Sequence, residues 1–342
     1  AAHRANGLGQ KALRLLTIAP CTAHRRAAVR PITIPAEDPA MRHNRLAVAL
    51  ALIALVALPA AAQELTGTLK KIKDTGTITI GHRDSSIPFS YYDENQKPVG
   101  YAMDICYKIV DAVKQKLNMP NLKVALNPVT SATRIPLMAN GTIDLECGST
   151  TNNAERKQQV DFGMTYFVVK YRYVTKASSG MDKMADMKGK TMVSTAGTTD
   201  IKALNELNTA QNYGMNILSA KDHAEAFLMV ETGRAAAFLM DDILLYGLVA
   251  NSKNPKEFHI SSESLGVEPY SLMLRKDDPQ FKKVVDDTMT QLYKSGEIEK
   301  IYHKWFESPI PPKGINLNFP ISDSLKKVFQ NPTDNSDPKV YS

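Results

Sequence analysis

The stretch Ile143-Asp144-Leu145-Glu146-Cys147-Gly148-Ser149-Thr150-Thr151-Asn152-Asn153-Ala154-Glu155-Arg156 decides the fold. Gly141 and Gly148 bracket a short run, Ile143 to Cys147, that reads as a strand, and a polar turn and a new helical pattern follow it. The same order recurs along the chain. Thr77 to Gly81 alternates, with Ile78 and Ile80 on one face, and after Asp104 the residues Ile105, Ile109 and Val113 stand four apart, as on one face of a helix. Ala235 to Met240 is wholly apolar and reads as a central parallel strand buried on both faces. Short strands alternating with amphipathic helices predict an α/β fold, each sheet mostly parallel and flanked by helices.

Two stretches rich in aromatic and β-branched residues, Thr165 to Thr175 and Gly266 to Leu274, read as crossings between two lobes. The first lobe is expected to hold residues 63–167 and the returning segment 272–342, the second residues 168–271. After Pro309, the Pro311-Pro312 pair and scattered Asn and Pro predict a tail laid over the surface.

Ahead of these lobes, Met41 is followed by Arg42 and Arg45, an apolar run from Leu46 to Leu58, then Pro59 and Ala60-Ala61-Ala62. This is the layout of a secretory signal peptide, residues 41–62, with cleavage expected after Ala62. The competing reading, a membrane anchor, needs roughly 20 apolar residues to span the hydrocarbon, more than the run supplies. Residues 1–40 show no periodicity and read as a misassigned start. Removing the first 62 residues takes away eight of the 42 Lys/Arg and two of the 35 Asp/Glu. The nearly neutral remainder excludes a nucleic-acid-binding reading. Of three cysteines, Cys21 falls in the discarded segment. Cys106 and Cys147 are left in an oxidising compartment, as a disulfide or as two buried thiols.

Open parallel sheets bind ligands at the carboxyl ends of their strands, where helix N-termini present unpaired N–H groups. Polar clusters fall at such places: Gly81-His82-Arg83-Asp84-Ser85-Ser86, Ser131-Ala132-Thr133-Arg134, Gly148 to Arg156, Gly197-Thr198-Thr199-Asp200 after the strand Thr191 to Ser194, and Asp241-Asp242. Each cluster alone could be helix capping. Together they lie on one edge of the inferred sheets.

Nearly the whole mature length resembles the periplasmic amino-acid-binding proteins of ABC importers, most closely the glutamate/aspartate-binding branch. The runs that carry it are Gly81 to Tyr92, Glu146 to Asn153, Ser219-Ala220-Lys221-Asp222-His223 and Leu274 to Lys283. The resemblance implies a two-lobed fold that closes on its ligand about two hinge crossings. It implies that Arg156, with donors from Thr151 and the Thr199 region, holds the ligand α-carboxylate, a contact that suits a planar guanidinium. Asp241 would accept from the α-ammonium, with the Ser149 region beside it, and Arg83, Arg134, Ser131 and His223 would surround a side-chain carboxylate. Asp84, Asp200 and Asp242 are expected to cap or support. Some relatives carry a cysteine near Tyr270-Ser271-Leu272, where this chain has none, so Cys147 would pair with Cys106 if it pairs at all.

Charge counting points the same way: three arginines facing one aspartate would be costly in a closed cleft unless the ligand brought a second anionic group. The expected function is capture of glutamate or aspartate for the membrane permease subunits of an importer, by a monomer without cofactors. Two other classes compete with this reading. A cyclohexadienyl-dehydratase-like enzyme on the same fold finds no Gly-x-Ser-x-Gly, His-Glu-x-x-His or Walker-type motif. A sensor ectodomain would need a further transmembrane helix, and none is read before Ser342. A receptor for another polar amino acid, such as glutamine, is the nearest alternative.

Overall fold

The computed structural model describes residues 64–341; the predicted leader and the segment before it lie outside the described residues. Helix α1 (Gly67–Thr75) leads into strand β1 (Thr77–His82), and a small antiparallel sheet of β2 (Ser85–Ser86), β3 (Ser90–Tyr92) and β4 (Pro98–Val99) precedes α2 (Tyr101–Leu117). Then come β5 (Lys123–Pro128), α3 (Arg134–Ala139), β6 (Leu145–Cys147) and the long β7 (Val160–Lys176). The middle of the chain forms β8 (Thr191–Thr195), α4 (Thr199–Ala210), β9 (Asn216–Ala220), α5 (His223–Glu231), β10 (Ala237–Asp241), α6 (Asp242–Asn251) and β11 (Phe258–Ile260). It returns through β12 (Val267–Arg275), α7 (Pro279–Lys294), α8 (Glu297–Phe306) and α9 (Asp323–Gln330).

The main sheet runs β5-β1-β6-β12-β7-β10-β8-β9, with β11 on β7. Its two ends are parallel triplets, β5-β1-β6 and β10-β8-β9. Between them the antiparallel pair β7 and β12 passes from one half to the other. Strand β7 pairs with β12 up to Lys170 and with β10 from Tyr171 onward, so a single strand belongs to both halves. The two stretches read as crossings, Thr165 to Thr175 and Gly266 to Leu274, lie in these strands. Register shifts between Tyr270 and Met273 interrupt the β7–β12 pairing, which resumes at Met273, where β12 also pairs with β6 on its other edge.

Sequence pattern accounts for the elements and for two departures from expectation. Ile78 and Ile80 are buried on β1 as the alternation predicts. In α2, Met103, Ile105, Cys106, Ile109, Val110 and Val113 form the buried face, but the helix starts a turn before Asp104. It can do so because Gly100, at φ 140°, lets Phe89 approach: a Cβ there would lie 2.2 Å from the Phe89 carbonyl oxygen. Every residue of β10 is buried, yet the strand is parallel only to β8 and antiparallel to β7, which enters from the other half. The tail is also more than a surface strap. Helix α9 buries Leu325, Val328 and Phe329, and Tyr341 is buried with its hydroxyl on Thr165 Oγ1 at 2.8 Å.

An aromatic cluster underlies the crossing strands. Phe89 meets Phe167, Tyr270 and Phe306 at ring-centroid distances of 4.9, 5.3 and 5.7 Å, mostly edge to face. Cys106 of α2 and Cys147 at the end of β6 form a disulfide, with Cα atoms 6.2 Å apart.

Candidate ligand-binding site

The carboxyl ends of the parallel strands converge on one cleft between the halves. Arg83 follows β1, Ser131 and Arg134 follow β5, and Ser149 and Thr151 follow β6; facing them, Thr199 follows β8, His223 follows β9, and Asp241 ends β10. All of them except Thr199 are buried. The halves touch across this cleft. Gly197, at φ 75°, approaches so closely that a Cβ on it would lie 2.5 Å from the Ala132 Cα, and a Cβ on Gly247 would lie 2.7 Å from the Ile87 carbonyl oxygen. Lys202 pairs with Glu155 at 2.5 Å.

Three guanidinium groups share the cleft. Arg83 donates through Nη2 to Ser131 Oγ at 2.8 Å and meets His223 Nε2 at 3.3 Å, while its Nη1 has no partner. An arginine cannot accept, so His223 Nε2 must, and the ring proton then sits on Nδ1, 2.9 Å from Thr195 Oγ1. Burial, then Arg83 and Arg134, hold the His223 pKa well below its ordinary value, which agrees with a neutral ring. Arg134 donates through Nη1 to the Ser149 carbonyl at 3.0 Å and to Thr150 Oγ1 at 2.6 Å, leaving Nε without a partner. Burial and the neighbouring Arg156 and Arg83 push its pKa down to about 9.

Arg156 donates to the Thr151 carbonyl at 2.9 Å and, across the cleft, to the Gly197 carbonyl at 3.3 Å. Asp241 accepts from the Tyr270 hydroxyl through Oδ2, and its Oδ1 is buried without a partner. Burial, then Asp200 and Glu268, raise the Asp241 pKa well above the carboxylate range. The Ser149 hydroxyl donates to Ser86 Oγ at 3.2 Å.

Three acidic residues enter this site that sequence reasoning did not assign to it. Glu146, fully buried on β6, accepts from Thr150 Oγ1 at 2.6 Å, and Gly148 packs closely on it: a Cβ there would lie 2.2 Å from Glu146 Oε1. Asp200, expected only to cap or support, is buried in the first turn of α4 with Oδ1 unpartnered. Burial, then Glu268, raises its pKa. Glu268 of β12 accepts from both Thr151 Oγ1 and Thr199 Oγ1. Three arginines therefore face Asp241, Asp200, Glu268 and Glu146, which overturns the count of three cations against one anion. The signal was present: Glu146 is a charge inside a stretch read as strand, and Glu268 one inside an aromatic and β-branched stretch read as a crossing. Asp242 behaves as expected, its Oδ1 accepting from the Lys170 and Ile243 amides, and Asp84 is exposed.

A polar cleft sealed between two α/β halves on a pair of shared strands defines a solute receptor. Residues 78–308 match the bacterial extracellular solute-binding proteins, family 3, and the chain belongs to that family. It is 56% identical to the L-glutamate/L-aspartate-binding protein of Pseudomonas aeruginosa over 82% of this chain and 93% of that protein. It is 52% identical to the glutamate/aspartate import solute-binding protein of Escherichia coli, over 80% of this chain and 91% of that one. Among solved structures, an arginine-binding protein mutant from T. maritima aligns with TM-score 0.62 at 27% identity, covering 70% of this chain and 99% of that one. An ancestral amino-acid-binding protein described as a precursor of cyclohexadienyl dehydratase aligns with TM-score 0.60 at 26% identity, over 70% and 99%.

Proposed function

We propose that this receptor captures L-glutamate and L-aspartate outside the cytoplasm and delivers them to the permease of an ABC importer. The observation that carries the reading is that buried unpaired groups of both signs, guanidinium and carboxylate, line the cleft. Arg83 Nη1, Arg134 Nε and Asp241 Oδ1 are all buried there without a partner. Buried groups of this kind each cost about 1–3 kcal/mol until a partner reaches them. A side-chain carboxylate at the arginine pair and an α-ammonium at Asp241 would supply partners together, and Arg156 beside Thr151 and Thr199 suits the α-carboxylate. The relatives at 52–56% identity are named for these two ligands.

Capture proceeds by closure. The ligand first meets one half, and contacts from the other, His223, Thr199 and Asp241, favour the closed arrangement through their added affinity. The switch of β7 from β12 to β10 between Lys170 and Tyr171 supports a lobe boundary near residue 168, with the return near 272. Export rests on the Leu46–Leu58 apolar run, with processing after Ala62.

Calorimetric titration of the purified protein with L-glutamate, L-aspartate, L-glutamine and L-histidine tests the reading. Both acids are expected to bind more tightly than either other ligand. Tighter binding of glutamine than of both acids refutes it.

A further inference from the structure

Glu146 is a carboxylate buried among the groups to which the ligand's side-chain carboxylate is assigned. It lies in the middle of β6, fully buried, with Oε2 accepting from Thr150 Oγ1 at 2.6 Å and Oε1 without a partner. Thr150 Oγ1 in turn accepts from Arg134 Nη1 at 2.6 Å. A carboxylate only accepts and a guanidinium only donates, so the single Thr150 proton goes to Glu146 and a lone pair faces Arg134. Arg83 comes close at Gly148, whose bare Cα serves both side chains: a Cβ there would lie 2.2 Å from Glu146 Oε1 and 2.8 Å from Arg83 Cγ. Burial lowers the pKa of both guanidinium groups, joined for Arg134 by Arg156 and Arg83, and Glu146 is the strongest influence in the opposite sense on each.

Around the ligand's side chain the charges can be balanced. His223 is neutral, so Arg83 and Arg134 stand against Glu146 and leave one net positive charge. Asp84 and Asp222 act on Arg83 more weakly: Asp84 is exposed, and the Asp222 carboxylate caps α5. One ligand carboxylate brings this part of the site to neutrality, whereas an amide leaves the positive charge unanswered. Burying net charge costs free energy that rises with the square of the charge. Without Glu146, a bound acid would leave one uncompensated charge and a bound amide two.

We propose that Glu146 sets the charge preference of this receptor without touching the ligand: it compensates one of the two positive charges and, through Thr150, orients Arg134, so that a single side-chain carboxylate leaves the shut cleft neutral there. The inference rests on the proposed function, which assigns the arginine pair to an acidic side chain. Glu146 is thus a positioning residue, and its charge and its hydrogen bond make separable contributions.

The test compares the wild type with Glu146→Gln, which keeps the shape and loses the charge, and Glu146→Asp, which keeps the charge on a shorter arm; circular-dichroism melts check folding. In calorimetric titrations, Glu146→Gln should weaken L-glutamate binding on the order of a hundredfold and L-glutamine binding further, so that preference for the acid rises while affinity falls. Glu146→Asp should bind L-glutamate more tightly than Glu146→Gln does. The reverse order, or an acid-to-amide preference in Glu146→Gln no higher than in the wild type, overturns the charge role, since a merely structural carboxylate weakens both ligands by one factor. A second pair leaves the buried charge in place and decides the proposal if a Glu146 variant does not fold. Thr150→Val should weaken L-glutamate binding on the order of tenfold, and Thr150→Ser, which keeps the hydroxyl, should stay near the wild type. Equal affinities of these two overturn the orienting of Arg134. A wild type that binds L-glutamine more tightly than both acids defeats the proposed function itself, and the charge preference falls with it.

Discussion

Asp241 brings to the cleft one oxygen held by the Tyr270 hydroxyl and one without a partner. Burial raises its pKa first, and the facing Asp200, Glu268 and Asp242 raise it further, against the Tyr270 hydrogen bond that lowers it. The free site therefore keeps a proton to higher pH than an ordinary aspartate, whereas an ammonium on Oδ1 favours the ionised form. Ligand binding should release protons, and affinity should fall as pH is lowered through the raised pKa. Calorimetry in two buffers of different ionisation enthalpy measures the release; equal apparent enthalpies would show that Asp241 is already ionised. His223 has the opposite sense, its pKa being lowered. An unfolded chain takes up a proton near its ordinary value that the folded chain refuses, so this residue's contribution to stability is lost as pH falls below that value.

At the scale of elements, the turn after β6 carries Ser149, Thr150 and Thr151 into the site, and the Cys106–Cys147 disulfide fixes the end of that strand to α2. The cysteines stand 41 residues apart, and closing such a loop stabilises by about 2–4 kcal/mol in the chain-entropy account. The Cys106→Ser/Cys147→Ser pair should lower the melting temperature, with a smaller effect on glutamate affinity, because no ligand-facing group is removed. A melt and a titration of the double variant check this. A change confined to affinity would mean that the disulfide acts on the site itself. The strand and turn from Ile143 to Asn153 were legible because glycines punctuate them, whereas the helix expected after them is a single 3-10 turn, Arg156–Gln158, that leads straight into β7. The alternation of strands and helices located Arg83, Arg134, Arg156, His223 and Asp241 at the carboxyl edge, since that placement follows from topology. The partners of each group were not legible. Glu268 reaches Thr151 and Thr199 only because β12 returns between β6 and β7, a pairing between distant segments that no local pattern encodes.

For the whole molecule, function depends on how closely the halves can meet, and Gly197 is where backbone meets backbone. Its carbonyl accepts from Arg156, and a Cβ on it would lie 2.5 Å from the Ala132 Cα and 2.7 Å from the Ala132 nitrogen. Alanine at this position incurs two separable penalties. The left-handed φ of 75° costs on the order of 1 kcal/mol in any state of the hinge, whereas the collision with Ala132 arises only when the cleft is shut. Gly189 supplies the control, since its φ is 69° and nothing lies within 4 Å of its built Cβ. Gly189→Ala should lower the melting temperature by a few degrees and leave ligand affinity near that of the wild type. Gly197→Ala should lower the melting temperature comparably in the absence of ligand and weaken glutamate binding by at least tenfold, because about 1.4 kcal/mol of lost closure suffices for that factor. Scattering at saturating glutamate should leave Gly197→Ala with a larger radius of gyration than the wild type. If both variants bind alike, the Gly197–Ala132 approach does not limit closure, and the differential affinity that drives capture resides in the side chains at the strand ends.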